Sequence, residues 1–196
     1  MKIAIAQLNY TVGDFPEILA KKREAFERAQ IEKVDLLVFC ELSICGYPPK
    51  DLLERPQFLI DIEKSVNEVA SWTKKSDVGI ILGAITNNAE PKYKKIYDSA
   101  LLICQGEIAA IANKNLLCTY DIYDESRYFE AGASALVAEY KNIRFGVSIC
   151  EDIWNDVLGY VNAIYPTNPI AKQVEAGCDA ILNISASPWF IGKDRR

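Results

Sequence analysis

The chain has 196 residues, half of them hydrophobic and a quarter charged, which is typical of a globular protein with one substantial core. The formal net charge of −5 argues against a nucleic-acid partner, because contacts with phosphate backbones need clustered Lys and Arg. The sequence contains no histidine, which excludes Ser-His-Asp triads, Cys-His pairs and HExxH zinc sites.

Apolar runs and cysteine spacing narrow the class of protein further. No apolar run is long enough to span a membrane. The apolar run at the start of the sequence is too short for the hydrophobic region of a signal peptide. We therefore expect a cytoplasmic protein without a membrane partner, whose six cysteines are reduced thiols. No two cysteines have CxxC spacing, so no metal site is predicted.

Hydrophobic periodicity predicts an α/β layered domain with a mixed sheet. Asp14, with Glu17 three residues later, resembles a capping box that opens the first helix, and Asn168-Pro169 opens the last helix, which Gly177 closes. In chain order, the predicted elements are a strand at 2–8, a helix at about 14–30, a strand at 34–39, a helix at 56–73, strands at 78–85, 97–104, 107–112, 135–139 and 143–150, a helix at 168–177 and a strand at 179–185.

Three reactive side chains follow the ends of predicted strands. Glu41, Lys114 and Cys150 come after strands that end near residues 39, 112 and 149, where active-site loops are commonly held. Taken singly, each has an ordinary structural interpretation: a capping or salt-bridge acid, a lysine that reaches into water, and a small core thiol. Taken together, they supply a proton acceptor, a cation and a nucleophile.

The surroundings of Cys150 raise a question, because two acids follow it directly and neighbouring negative charge disfavours a thiolate. Strand alternation predicts that Gly146 and Ser148 share its face and leave room for a ligand, and that Glu151 faces the other way. A nearby cation such as Lys114 would then offset the acids.

Four segments in this order, GDFPE, ELSICGYPPKDLL, KNLLCTYDIYDESRYFEAG and GVSICEDIW, resemble the nitrilase superfamily. GYPPKDLL and YDESRYF most resemble the amidase domain of glutamine-dependent NAD⁺ synthetases. The resemblance implies an α-β-β-α sandwich with a Glu41-Lys114-Cys150 triad. It also implies that Tyr120, Glu125, Trp154 and Ser187 lie near a bound glutamine, although core aromatics, a salt-bridge acid and a turn serine remain alternative roles for them.

The resemblance also implies a function. Glutamine would be hydrolysed through a thioester on Cys150, and its ammonia would pass to a synthetase domain that amidates deamido-NAD⁺ with ATP and Mg²⁺. Such domains usually continue beyond this length and no SGG-type loop is present, so we expect residues 1–196 to be an incomplete, C-terminally truncated amidase domain without the synthetase domain. Relatives commonly assemble, so a homo-oligomer is expected.

Two alternatives stay open: a stand-alone amidase for another ω-amide or carbamoyl compound, and a non-catalytic fragment. Two positions also depart from the family pattern. Members often carry proline just before the triad glutamate and four residues after the lysine, where this chain has Cys40 and Cys118. Neither substitution removes a reacting group, but each loosens the backbone.

Overall fold

A computed structural model of the chain describes residues 1–120, 122–156, 165–187 and 191–192, and within them eight strands form two separate sheets. The strands are β1 Ile3–Ala6, β2 Leu36–Phe39, β3 Gly79–Asn87, β4 Ile96–Cys104, β5 Glu107–Asn113, β6 Leu136–Tyr140, β7 Ile143–Ile149 and β8 Ala180–Ile184. The α-helices are α1 Phe15–Ile31, α2 Pro56–Trp72, α3 Glu125–Tyr128 and α4 Pro169–Glu175, and short 3-10 helices cover Lys50–Glu54, Thr73–Lys75 and Cys150–Asp156.

Both sheets are mixed. The first has the order β1-β2-β3-β4-β5, in which β1, β2 and β3 are parallel and β4 and β5 are antiparallel to their neighbours. The second has the order β6-β7-β8, with β7 antiparallel to β6 and parallel to β8. The sequence pattern alone predicted one mixed sheet, and this was wrong, because periodicity identifies strands but not their partners.

Two apolar cores divide the molecule into layers. Phe26 of α1 and Ile62 of α2 pack with Leu37 of β2 in the first core. The other face of β2 contributes Val38 to a second core, in which Phe145 of β7 packs between the sheets. On the outer face of the second sheet lies α4, where the side chain of Gln173 donates to the carbonyl of Val147 at 2.8 Å. The expected α-β-β-α sandwich is therefore confirmed.

Local sequence signals explain where the first and last helices begin. The Asp14 carboxylate accepts the Glu17 N–H at 3.1 Å, and the Asn168 side chain accepts the Ala171 N–H at 2.9 Å. Each bond satisfies one of the N–H groups that a helix start leaves without an intrahelical partner. In the described ranges, no helix combines the length and the apolar character needed to cross a bilayer.

The end of β7 differs from the prediction. The strand stops at Ile149, and Cys150 has a φ of +44°, so the alternation of faces does not reach the cysteine. Gly146 does not open space for a ligand either, because a Cβ there would meet the Ile181 side chain at 2.6 Å and Gln173 at 2.9 Å. This glycine allows α4 to approach the sheet closely.

Candidate active site

Glu41 lies in the turn after β2 and is 1% exposed. One carboxylate oxygen, Oε1, accepts a hydrogen bond from Lys114 Nζ at 2.6 Å, and Oε2 accepts the backbone N–H of Ala186 at 2.7 Å. The turn packs closely against β3 at Gly83. A Cβ atom added to this glycine would lie only 2.2 Å from the Cys40 carbonyl oxygen. Glu41 is thus fixed by contacts from three separate parts of the chain.

Lys114 follows β5 and its side chain is fully buried. Its ammonium group donates to Glu41 and, at 2.8 Å, to Glu125, and it lies 3.9 Å from Asp98. Burial lowers the pKa of Lys114, but Glu41, Asp98, Glu125 and Cys150 act in the opposite direction and raise it well above the ordinary value. Lys114 is therefore a permanent cation among buried acids.

Glu125, the first residue of α3, is 5% exposed and accepts hydrogen bonds on both oxygens. The hydroxyl of Tyr47 donates to Oε1 at 2.9 Å, and the backbone N–H of Cys118 donates to Oε2 at 2.9 Å. A proline at position 118 could not make the second bond, because it has no N–H group. The departure from the family pattern thus adds a donor to Glu125.

Cys150 begins the 3-10 helix that follows β7 and is 7% exposed. Its carbonyl accepts from the Asn183 side chain at 3.3 Å, which ties the cysteine to β8. The thiol contacts that of Cys118, and it is one of the groups that act electrostatically on Lys114. Glu41, Lys114 and Cys150 therefore converge on one buried region, although they come from three loops.

Asp152 connects the Lys114 loop to the Cys150 turn. Its Oδ1 accepts the backbone N–H groups of Asn115 and Leu116, each at 2.9 Å, and its Oδ2 accepts that of Ile149 at 3.1 Å. Burial raises the pKa of Asp152 to about 6, while the three N–H donors act in the opposite direction. Local sequence contains no signal for this role, since the three donors come from the loop after β5 and from the end of β7.

Glu151 was expected to face away from the thiol on the opposite side of a strand. It lies instead in the 3-10 helix and is 4% exposed, so the strand argument was wrong. Its carboxylate accepts from the Tyr120 hydroxyl at 2.7 Å, from the Cys118 thiol at 3.3 Å and from the Tyr165 hydroxyl. Three hydrogen-bond donors thus hold this carboxyl group next to Cys150.

The remaining predicted residues are exposed to solvent. Tyr120 is half exposed, and Trp154 is exposed at 39% in the 3-10 helix after β7. Ser187, after β8, lines a cavity of about 390 Å³ together with Glu41 and Tyr47. This volume is within the range of small-molecule sites, about 300–1,000 Å³. The structure thus places Ser187 and Glu41 at one cavity, whereas Tyr120, Trp154, Lys114 and Cys150 do not line it.

Comparison with known proteins identifies the family. The carbon-nitrogen hydrolase model matches residues 2–163, which is most of the chain. The chain belongs to the carbon-nitrogen hydrolase family. The carbon-nitrogen hydrolase domain described here is also 41% identical over 194 residues to a protein from a Synechocystis species named glutamine-dependent NAD(+) synthetase, which covers 97% of this chain and 35% of the relative.

Solved structures agree with the family. A glutamine-dependent NAD⁺ synthetase from Acinetobacter baumannii has a TM-score of 0.84 at 30% identity, over 98% of this chain and 34% of that one. An amidase from a Nesterenkonia species has a TM-score of 0.79 at 18% identity, over 99% of this chain and 68% of that one, which shows the same fold. This hydrolase domain spans about a third of the length of the NAD⁺ synthetases that it matches.

Proposed function

We propose that the domain hydrolyses the side-chain amide of glutamine through a thioester on Cys150. The observation that carries this proposal is the 2.6 Å hydrogen bond between Lys114 and Glu41, in a buried region that also holds the Cys150 thiol. A buried acid, a buried cation and a thiol can supply the proton acceptor, the oxyanion partner and the nucleophile for acyl transfer without histidine. The similarity to NAD⁺ synthetases named as glutamine-dependent supports glutamine as the substrate.

In the proposed reaction, the sulfur of Cys150 attacks the amide carbon while Glu41 accepts the thiol proton. Lys114 and the backbone N–H of Glu151 stabilise the oxyanion that develops, and a donor of this kind contributes about 3–4 kcal/mol. The tetrahedral intermediate collapses to a glutamyl thioester as Glu41 gives its proton to the departing ammonia. A water molecule activated by Glu41, with Glu125 nearby, then hydrolyses the thioester and regenerates the thiol.

Tyr120, Glu125, Trp154 and Ser187 are assigned to substrate binding. The cavity at Glu41 and Ser187 is large enough for glutamine, and the Tyr120 hydroxyl and Trp154 would border the bound amino acid. Glu125 would act from below, through its contact with Lys114. These four assignments follow the family resemblance.

In the whole protein, the ammonia would be used by a synthetase domain outside these residues to amidate adenylated deamido-NAD⁺. That domain, and not residues 1–196, would use ATP and Mg²⁺. The proposal is supported by two relatives, both named glutamine-dependent NAD(+) synthetase, that are about three times as long as this chain. A cytoplasmic location and a homo-oligomeric assembly stay predictions of the sequence.

The test is labelling of the purified chain with a glutamine analogue that carries a diazoketone in place of the amide. We expect modification of Cys150 to be faster than that of Cys104 and Cys178, which are more exposed than Cys150 but lie outside the site. Glutamine should protect Cys150 better than asparagine or a small aliphatic amide does, and Cys150→Ala should abolish the fast phase. Equal rates at the three thiols would refute catalysis, and better protection by a small amide would favour the stand-alone amidase.

A further inference from the structure

Asp98 is a buried acid for which the proposed reaction has no use. It lies near the start of β4 with no exposed surface, and neither carboxyl oxygen has a hydrogen-bond partner among the described residues. Its backbone carbonyl accepts the Lys114 N–H at 2.9 Å, so the residue is held against the candidate site. A buried carboxyl group without a partner is costly unless its charge is removed.

The charge balance around Asp98 shows which of the neighbouring acids lacks a close cation. Oxygens of Asp98, Glu41 and Glu125 lie within 4.8 Å of one another, so three acids surround the single ammonium group of Lys114. Lys114 donates to Glu41 at 2.6 Å and to Glu125 at 2.8 Å, whereas Asp98 is 3.9 Å away. Lys114 already donates to two carboxyl groups, and a charge on a third would be unpaired in a low-dielectric interior.

We propose that Asp98 is a neutral carboxylic acid that positions Glu41 and Lys114. In this state its hydroxyl is a hydrogen-bond donor for Glu41, and its carbonyl oxygen lies toward the ammonium group of Lys114. The residue therefore restrains both side chains without adding a negative charge. Asp98 is thus a positioning residue for the proposed glutamine hydrolysis, on which this part of the inference rests. The proton on Asp98 is not the one that moves between Cys150 and Glu41.

The ionisable groups that face Asp98 agree with this state. Burial is the largest cause that raises the pKa of Asp98 well above its ordinary value, Glu41 and Glu125 add to the rise, and Lys114 opposes it. Burial is the largest cause that raises the pKa of the neighbouring Cys45 thiol, and an ionised Asp98 would raise it further. Among the described residues, Lys114 favours the ionised form of Asp98, and Glu41 and Glu125 disfavour it.

The deciding experiment compares Asp98→Asn with the wild type in urea unfolding between pH 3 and pH 9. A raised folded-state pKa means that the wild type takes up a proton on folding, and the folding constant then falls about tenfold for each unit of pH above the ordinary aspartate pKa. Asparagine imitates the neutral acid and needs no proton. We therefore expect the variant to match the wild type near pH 3 and to become progressively more stable than it as the pH rises.

An ionised Asp98 paired with Lys114 would give the opposite sign, because Asp98→Asn would then lose stability as the pH rises. A difference that does not change with pH would also overturn the proposal. Asp51→Asn, at an exposed position, controls for the loss of one aspartate charge. This comparison needs no catalytic activity, so its result stands even if the proposed function fails.

The positioning role has a separate readout in the labelling rate of Cys150. Asp98→Asn, which keeps a donor and an acceptor, should react at close to the wild-type rate. Asp98→Leu has neither group and should react about tenfold more slowly, roughly the effect of one lost hydrogen bond. Wild-type rates for both variants would show that Asp98 does not position the site. A slow Asp98→Asn variant would overturn the proposal that a neutral donor and acceptor are sufficient at this position.

Discussion

At the scale of single residues, two lysines among the described residues are fully buried and have opposite surroundings. Lys114 is surrounded by acids, whereas Lys22 lies 3.8 Å from the centre of the Phe39 ring and donates to the Tyr10 hydroxyl at 3.0 Å. Burial lowers the pKa of Lys22 to about 7, and nearby Cys40 and Cys45 only partly oppose it. Burial alone therefore does not determine the charge of a lysine, which depends on the acids within reach.

This contrast predicts opposite effects of two matched substitutions. Lys114→Met leaves Glu41 and Glu125 buried without their cation, and we expect a loss of about 3–5 kcal/mol in the free energy of unfolding at pH 7. Lys22→Met replaces a poorly solvated amine by an apolar chain of similar length, and we expect a gain of about 1–4 kcal/mol. Urea unfolding of both variants measures the two changes, and a loss for Lys22→Met would contradict the interpretation.

The Lys22 effect should also depend on pH. Because its pKa is lowered on folding, the wild type has its full stability above the unfolded value of 10.5 and loses it as the pH falls towards about 7. Methionine does not titrate, so the advantage of Lys22→Met should be largest at pH 7 and below and should shrink towards pH 10. Thermal unfolding at a series of pH values tests this slope.

At the scale of elements, the site depends on how the loop after β5 is joined to the turn after β7. Asp152 makes this connection with three backbone N–H groups. In Asp152→Asn, one acceptor becomes an NH₂ group that must face an N–H donor. We expect a loss of about 1–3 kcal/mol for the unsatisfied donor.

The same substitution should slow the labelling of Cys150, because the distance between Lys114 and the thiol is then less restrained. Asp152→Ala, which removes all three acceptors, should have a larger effect on stability. Glu139→Gln, on the exposed face of β6, provides a control. Unchanged labelling in Asp152→Asn would mean that the two loops hold their positions without this side chain.

The elements themselves were predictable from periodicity, and the boundaries of α2 and β5 agree with the prediction within one residue. Strand ends also indicated Glu41, Lys114 and Cys150, because reactive residues after buried strands form a recognisable pattern. The turn at Cys150 was not predictable, since its positive φ is stabilised by partners distant in sequence. The roles of Asp98 and Asp152 depend on such contacts as well, and local sequence does not encode them.

At the scale of the whole molecule, the two sheets differ in width, with five strands facing three in the described ranges. Ile3 and Ile5 of β1 pair with Leu36 and Val38, so they point towards the second sheet. They are nevertheless 40% and 81% exposed, because the second sheet does not cover this end of the first. An apolar edge strand of this kind favours association.

We therefore expect Ile5→Lys to change the free energy of unfolding by less than about 0.5 kcal/mol, as for most surface substitutions. It should reduce concentration-dependent association of the chain, which light scattering measures. Val38→Lys, on the same face but buried, is the contrasting variant and should unfold the chain or destabilise it severely. Strong destabilisation by Ile5→Lys would show that β1 is covered in solution.

The bond from the Ala186 N–H to Glu41 joins residues 145 positions apart in sequence. The Glu41 side chain is synthesised early and thus gains this hydrogen bond only when Ala186 has been added to the chain. A nascent chain that stops before β8 would carry Glu41, Lys114 and Cys150 and still lack this restraint. The restraint on Glu41 is then acquired only after residue 186 has been synthesised.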